Sequence, residues 1–518
     1  MSQTREYIVS LQRNINYDQF WTEMENPTSG LPCVPNRAVD IVNNRDASLR
    51  ICHYSLTDEE AEKLRNDPRV YDVEIPPEQR EDIFLKRRAV QTSEFTKTTS
   101  DSGSYVNWGL RRVIAESNPY EGDEVTGGFT YTLDGTGVDI VIQDSGIQAD
   151  HPEFQDASGN SRVQEINWYT ASGLTGTMPS GFYTDYDGHG THVAGIAAGK
   201  TYGWAKNAKI YSVKVAGLEG LSDPNNGLSV TDCFDVIKEW HNNKPVDPST
   251  GVKRPTIVNM SWGYYTSYST VSSINYRGTV YSGSQIDTAS ERWALGLVPL
   301  NYGGFTYYTN VRISSVDVDV QELIDAGVHV VIAAGNQYHK IDVSGGLDYN
   351  NFAVTNGGTK YYHRGSSPYD DEAFKVGNID SSEHSGGLEQ AAESSEKGPG
   401  VDIWAPGTNI MSATSNVNAW GSGSQNYYQN INFKQTNISG TSMAAPQVCG
   451  IGALYLQLNP ASTPAQLKAW VLSQAKTSQI YTTGSSTDYT NNRSLLGSEN
   501  KFLFQPFNSA IQLRISGS

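Results

Sequence analysis

The sequence predicts an α/β chain: a doubly wound, mainly parallel sheet with helices on both faces, preceded by a small α+β ferredoxin-like unit. Three observations predict it. From residue 137 onward, short apolar runs suited to buried parallel strands alternate with helical patterns. The first 76 residues carry a separate β-α-β-β-α-β order. Polar clusters follow the apolar runs or open the helices behind them, where doubly wound sheets bind their ligands.

In the first unit (1–76) the order is a strand at Tyr7–Leu11, a helix at Asn16–Asn26, strands at Arg37–Val42 and Leu49–Ser55, a second helix and a strand at Val70–Ile75. Thr57 followed by Glu60 forms a capping box for the second helix, Ala61 and Leu64 share one face, and Pro68 stops it. Residues 77–105 turn charged and then Ser/Thr-rich, without sustained periodicity, and read as a linker or processing segment containing the basic cluster Lys86-Arg87-Arg88. In the main unit (106–518), buried strands are expected at Gly137–Ile142, Lys209–Val215, Thr256–Met260 and Val328–Ala334. Helices are expected at Thr191–Gly199, Val230–Trp240, Val318–Ala326 and Thr441–Leu458. Segments near 264–308, 337–371 and 412–436 are read as surface loops.

Composition narrows the function. With 38 Lys and Arg against 56 Asp and Glu the formal charge is −18, which argues against nucleic acid and anionic membranes as partners. The four cysteines (Cys33, Cys52, Cys233, Cys449) show no zinc-ligand spacing and suit small buried hydrophobes. No apolar run reaches the roughly 18–20 residues that span a bilayer, and the N-terminus lacks the basic start and apolar run of a signal peptide. The expected location is therefore cytoplasmic or virion-associated, with non-classical export left open.

Three clusters carry chemistry: Gln143-Asp144-Ser145-Gly146 after a strand, Asp187-Gly188-His189-Gly190-Thr191-His192 opening a helix, and Ser439-Gly440-Thr441-Ser442 opening another. A carboxylate, an imidazole and a hydroxyl are what nucleophilic acyl hydrolysis needs: the imidazole takes the hydroxyl proton and the carboxylate fixes its tautomer. Ala333-Ala334-Gly335-Asn336 ends a buried strand in a side-chain amide that could donate to the same oxyanion.

As a set, Val138–Ile147, His189–Gly195, Asn259–Gly263, Ala333–Asn336 and Gly440–Pro446 closely resemble the subtilisin-like serine proteases, proteinase K included. The likeness extends from Asn107 to about Ala475. It implies a serine endopeptidase acting on protein or peptide substrates, with Ser442 as nucleophile, His189 as general base then acid, Asp144 orienting it, and Asn336 with the Ser442 N–H as oxyanion hole. His192 is then structural. The resemblance further implies that residues 7–75 are an intramolecular propeptide, chaperone and inhibitor. It makes Ser261, Trp262 and Gly263 the edge that pairs with substrate, where the bulky Trp262 predicts a narrowed or aromatic-preferring subsite. Processing is expected either at Lys86–Arg88 or near Thr98–Ser104. No cofactor is required for the chemistry; structural calcium is common in the family, and Glu153 and Asp402 fall where acidic ligands occur. Gln447 stands where the family usually has His. The competing expectation is a latent subtilase-fold structural or assembly component, virion-associated roles included; an esterase on the same triad fits the peptide-binding edge less well.

Overall fold

The computed structural model describes residues 4–26, 30–45, 47–87, 90–91, 108–115, 118, 131, 133–173, 175–299, 306–384, 386–483 and 494–505. Asn107 and the Thr98–Ser104 segment lie outside the described residues.

A nine-stranded sheet forms the centre, in the order Lys476–Thr477, Lys501–Phe502, Ile403–Pro406, Phe374–Ile379, His329–Ala333, Thr256–Met260, Asp139–Asp144, Lys209–Lys214, Val163–Glu165. All neighbours are parallel except the first pair. The strands read as continuous apolar runs because both faces are covered. Ile140 and Ile142 point into one core, with the helices His189–Ala198 and Thr441–Leu458. Val141 points into the other, with Val230–Asn242 and Ser314–Asp325. From Asp139–Asp144 the chain fills one side of the sheet and then crosses to Thr256–Met260 on the other, which makes the ends of these two strands the topological switch point.

The N-terminal unit is a four-stranded antiparallel sheet ordered Asp40–Asn43, Ile51–Leu56, Arg5–Leu11, Val70–Glu74, with helices Tyr17–Glu25 and Asp58–Arg65. Thr57 and Glu60 make the expected capping box. Tyr7, Val9 and Leu11 enter the unit's own core, whereas Ile8, on the opposite face, packs with Ile51 against Val318 of the main unit.

Three segments expected as loops differ. Residues 264–308 and 337–371 together build a four-stranded sheet, Thr279–Ser282, Ser273–Tyr276, Phe352–Val354, Lys360–Tyr362, over a small core of Ile274, Ile286, Leu297, Tyr307 and Ala353. Residues 412–436 form most of another, Ile410–Thr414, Asn430–Ser439, Gln425–Tyr427, with Tyr202, Met411 and Tyr427 packed together. Tyr and Thr favour pleated, half-buried surfaces, and that preference prevails here over low hydropathy. Cys52, Cys233 and Cys449 are buried; Cys33 is only partly so. Among the described residues, no helix is long and apolar enough to cross a membrane.

Candidate active site

Asp144 is the last residue of its strand, at the switch point. Its Oδ1 accepts from the Ser145 N–H (2.8 Å) and lies 2.7 Å from His189 Nδ1. His189 opens its helix behind Gly188, which adopts φ +92°. The two loops can meet only because Gly190 has no side chain: a Cβ there would stand 2.1 Å from the Gly146 carbonyl oxygen.

A residue absent from the sequence reasoning organises this junction. Buried Asp185 accepts from Ser145 Oγ (2.9 Å), Thr191 Oγ1 (2.6 Å) and the N–H groups of Asp187, Gly188 and Thr191. Ser145 Oγ in turn accepts from the Gly190 N–H at 2.8 Å. Burial beside Asp187 pushes the Asp185 carboxyl up to about 6. Its only sequence signal is its place four residues before His189.

Ser442 is the second residue of the helix Thr441–Leu458, so its backbone N–H is among the first four that have no partner within the helix. Pro446 lies inside this helix and has no N–H to give the Ser442 carbonyl four residues back. Ser261 Oγ supplies that bond at 3.1 Å, itself receiving one from Asn259 Nδ2 at 2.8 Å. The Ser442 hydroxyl donates to the Ser261 carbonyl at 3.0 Å, and among the described residues His189 Nε2 has no hydrogen-bond partner. Asp144, His189 and Ser442 are all fully buried.

Asn336 follows the strand His329–Ala333, and its Oδ1 accepts from the Thr441 N–H (3.0 Å) and Oγ1 (3.2 Å). Pinning the oxygen turns the NH2 edge the other way. His192 sits in the core with Nε2 3.0 Å from the Thr436 carbonyl, and burial pulls it down to about 3, so it stays neutral. Gln447 ties the helix to Trp204, accepting from its indole N–H at 2.7 Å.

Two short segments before residue 92 pair with main-unit strands on either side of Ser442's neighbours Ser261 and Ser439. Phe84–Arg87, in the expected linker, is a strand antiparallel to Trp262–Tyr268, with Trp262 opposite Arg87 and Gly263 opposite Lys86. Tyr307–Asn310 pairs with the same strand. Beyond Ser442's side, Val90 and Gln91 pair with Ser439 and Ile438. Trp262 is buried and belongs to the core against which Leu85 packs.

The two acidic residues suggested for calcium do not fit a cation. Asp402 faces the ammonium groups of Lys375 (3.2 Å) and Lys468 (3.0 Å). Glu153 spends its oxygens on the N–H of Thr201 (2.9 Å), the N–H of Tyr202 (3.3 Å) and the Tyr427 hydroxyl (2.8 Å). Among the described residues no cluster of three or more His, Cys, Asp or Glu is arranged to hold a metal.

The model of the subtilase family matches residues 135–498. The extracellular serine proteinase of Thermus sp. (strain Rt41A) is 28% identical over 438 residues, 85% of this chain and 74% of that protein. Alkaline serine exoprotease A of Vibrio alginolyticus is 25% identical over 91% of this chain and 63% of its own length. Among solved structures, fervidolysin of Fervidobacterium pennivorans, a keratinolytic enzyme related to subtilisin, matches 99% of this chain and 61% of its own with TM-score 0.53 at 17% identity, a likeness of fold.

Proposed function

The chain belongs to the subtilase family and is a serine endopeptidase, and from that premise we propose that Ser442, His189 and Asp144 carry its chemistry while the N-terminal unit holds it latent. The observation that supports the triad most is the 2.7 Å contact between Asp144 and His189 Nδ1; with the neutral tautomer that this carboxylate selects, Nε2 is an acceptor, unpartnered among the described residues. An unpaired buried acceptor costs roughly 1–3 kcal/mol, and turning the Ser442 hydroxyl from the Ser261 carbonyl to His189 Nε2 relieves it. Ser442 Oγ then attacks the substrate carbonyl carbon as Nε2 takes its proton. The same imidazole returns the proton to the leaving amine, and water repeats the cycle on the acyl-enzyme. Serine-directed fluorophosphonate labelling tests this: Ser442 should react once the N-terminal unit has left and resist before.

The Ser442 N–H and Asn336 Nδ2 hold the oxyanion in this reading. Asn336→Ala should lower kcat by about 10²–10³, or roughly 2.7–4 kcal/mol, with KM little changed, because the donor acts where charge develops. Steady-state kinetics on a quenched peptide check the split.

Latency rests on the paired segments 84–87 and 90–91 and on a charged interface. Glu74 of the N-terminal unit accepts from the N–H groups of Ser314 (3.2 Å) and Ser315 (2.6 Å), capping a main-unit helix, and Asp72 accepts from the Ser314 hydroxyl at 2.6 Å. Burial, with Asp72 adjacent, pushes Glu74 up to about 7 in spite of the bonds from Ser315 and Ser314. A carboxyl raised in the complex and ordinary when free favours binding at low pH, and the advantage is lost as pH rises towards 7. The cut unit should therefore leave more readily at pH 7.5 than at pH 5, by up to about fiftyfold before solvent screening. The lag before peptidase activity appears measures this, and Glu74→Gln should flatten its pH dependence.

A further inference from the structure

We infer that a cavity lined jointly by the N-terminal unit, the main unit and the inserted sheet binds a small phosphate monoester with a hydrogen-bonding ring, the class of a mononucleotide, and that its occupant delays release of the N-terminal unit. The binding stands on the cavity alone; the delay rests on the latency reading above.

The cavity measures about 300 Å³. Tyr71, from the strand Val70–Glu74, and Arg80, shortly after it, line one side. Lys360 and Arg364 bring the edge strand of the inserted sheet, Lys360–Tyr362, to another. Asn310 and Arg312 complete it beside the start of the helix Ser314–Asp325.

In a chain of formal charge −18 this lining is positive. Two of its four cations are neutralised, Arg80 by Asp82 and Arg312 by Asp317, each at 2.7 Å. Asp317 is spent further on the Ser367 hydroxyl at 2.7 Å. Lys360 and Arg364 make no ion pair among the described residues, and they flank one aromatic pair. The Lys360 ammonium lies 4.9 Å from the centre of the Phe352 ring, the Arg364 guanidinium 4.1 Å from that of Tyr362, and the two rings are 5.2 Å apart. Arg364 is fixed there by bonds to the Tyr349 carbonyl (2.7 Å) and Asn350 Oδ1 (2.8 Å). Low-dielectric walls focus such a charge. Two cations left over match a phosphate monoester, which carries about −1.5 to −2 at pH 7, and a guanidinium fork takes its oxygens in pairs. The helix start adds no donors to this, because the N–H groups of Ser314 and Ser315 are already given to Glu74.

A buried amide calls for the rest of the ligand. Asn310 is 4% exposed and lines the cavity, yet among the described residues neither its oxygen nor its nitrogen has a hydrogen-bond partner. Burying such a group unpaired costs roughly 1–3 kcal/mol, and native interiors complete it with water, an ion or a ligand. An amide presents an acceptor beside its donors, and the edge of a nucleobase presents the matching pair.

Tyr71 belongs to the unit that leaves and Arg80 to the segment behind it. An occupant held by the joined chain therefore loses contacts on separation, and it opposes separation by the same free energy.

Calorimetry on full-length Ser442→Ala should show AMP binding, with inorganic phosphate bound several-fold more weakly. Lys360→Gln changes an exposed side chain and should weaken both about threefold to fivefold. Asn310→Ala should weaken AMP about fivefold and leave phosphate unchanged. Lys209→Gln, an exposed lysine outside the cavity, should alter neither. In the wild type, AMP at about a hundred times its Kd should lengthen the lag before peptidase activity by up to about a hundredfold. No heat with either probe, or equal losses in Lys360→Gln and Lys209→Gln, overturns the site. Equal affinity for AMP and phosphate overturns the role of Asn310. Binding without a longer lag overturns the coupling while the latency reading stands. A wild type with no lag at all overturns that reading and the coupling with it, and calorimetry then decides the site by itself.

Discussion

Ser442→Ala is expected to leave a whole, folded chain that hydrolyses peptides about a millionfold more slowly than the wild type. The size of the loss follows from what the hydroxyl does. Without it no acyl-enzyme forms, and only substrate binding and the oxyanion donors remain, a residual of about 10³–10⁴ over water. The fold should hardly notice. Among the described residues the hydroxyl makes one hydrogen bond, to the Ser261 carbonyl, worth about 1 kcal/mol. The link that holds the helix to the cleft strand uses the Ser442 backbone carbonyl and survives. Rates on a quenched peptide, set beside thermal unfolding, separate the two effects. Full activity in this variant would remove Ser442 as nucleophile.

The sequence reveals those parts of the site that are locally encoded. Asp144, His189 and Ser442 each stand in an unbroken motif at a strand end or helix start; the fold brings Asp144 to His189 at 2.7 Å and Ser442 to Ser261 at 3.0 Å. Asp185 is hidden because its five donors come from residues that an isolated Asp does not announce. The helix expected from Val318 begins at Ser314 because Glu74, some 240 residues earlier, caps it. Phe84–Arg87 lacks strand periodicity because main-chain pairing with Trp262–Tyr268 holds it, with no core of its own to pattern its side chains. What escapes a linear reading is contact between segments far apart in the chain, within the main unit and between the two units.

That contact has one centre whose removal should be far more costly than its neighbours' loss. The Arg45 guanidinium, 1% exposed, crosses from the N-terminal unit to Asp235 (2.6 Å) and Asp319 (2.8 Å) of two main-unit helices and also donates to the Thr231 carbonyl. Asp319 is as deeply buried. Arg45→Ala would leave two carboxylates facing each other without a cation, and breaking a buried pair in this way costs about 3–5 kcal/mol. Once the chain is cut, that cost falls on the bound state alone, since both carboxylates regain water when the unit leaves. The variant should therefore lose its N-terminal unit several hundredfold more readily and show almost no lag before peptidase activity. Arg45→Lys should recover only part of the lag, because an ammonium cannot serve two carboxylates and a carbonyl through a planar fork. Arg13 provides the contrast. It reaches Asp325 at 3.2 Å across the same interface, but its side chain is 36% exposed and its partner's 56%. A pair so open to water contributes at most about 1 kcal/mol, so Arg13→Ala should shorten the lag only a few fold. Limited proteolysis in a Ser442→Ala background reads docking without catalysis, and there too Arg45→Ala should expose the N-terminal unit while Arg13→Ala does not. Equal behaviour of the two variants would mean that the paired segments 84–87 and 90–91, rather than the buried charges, hold the unit in place.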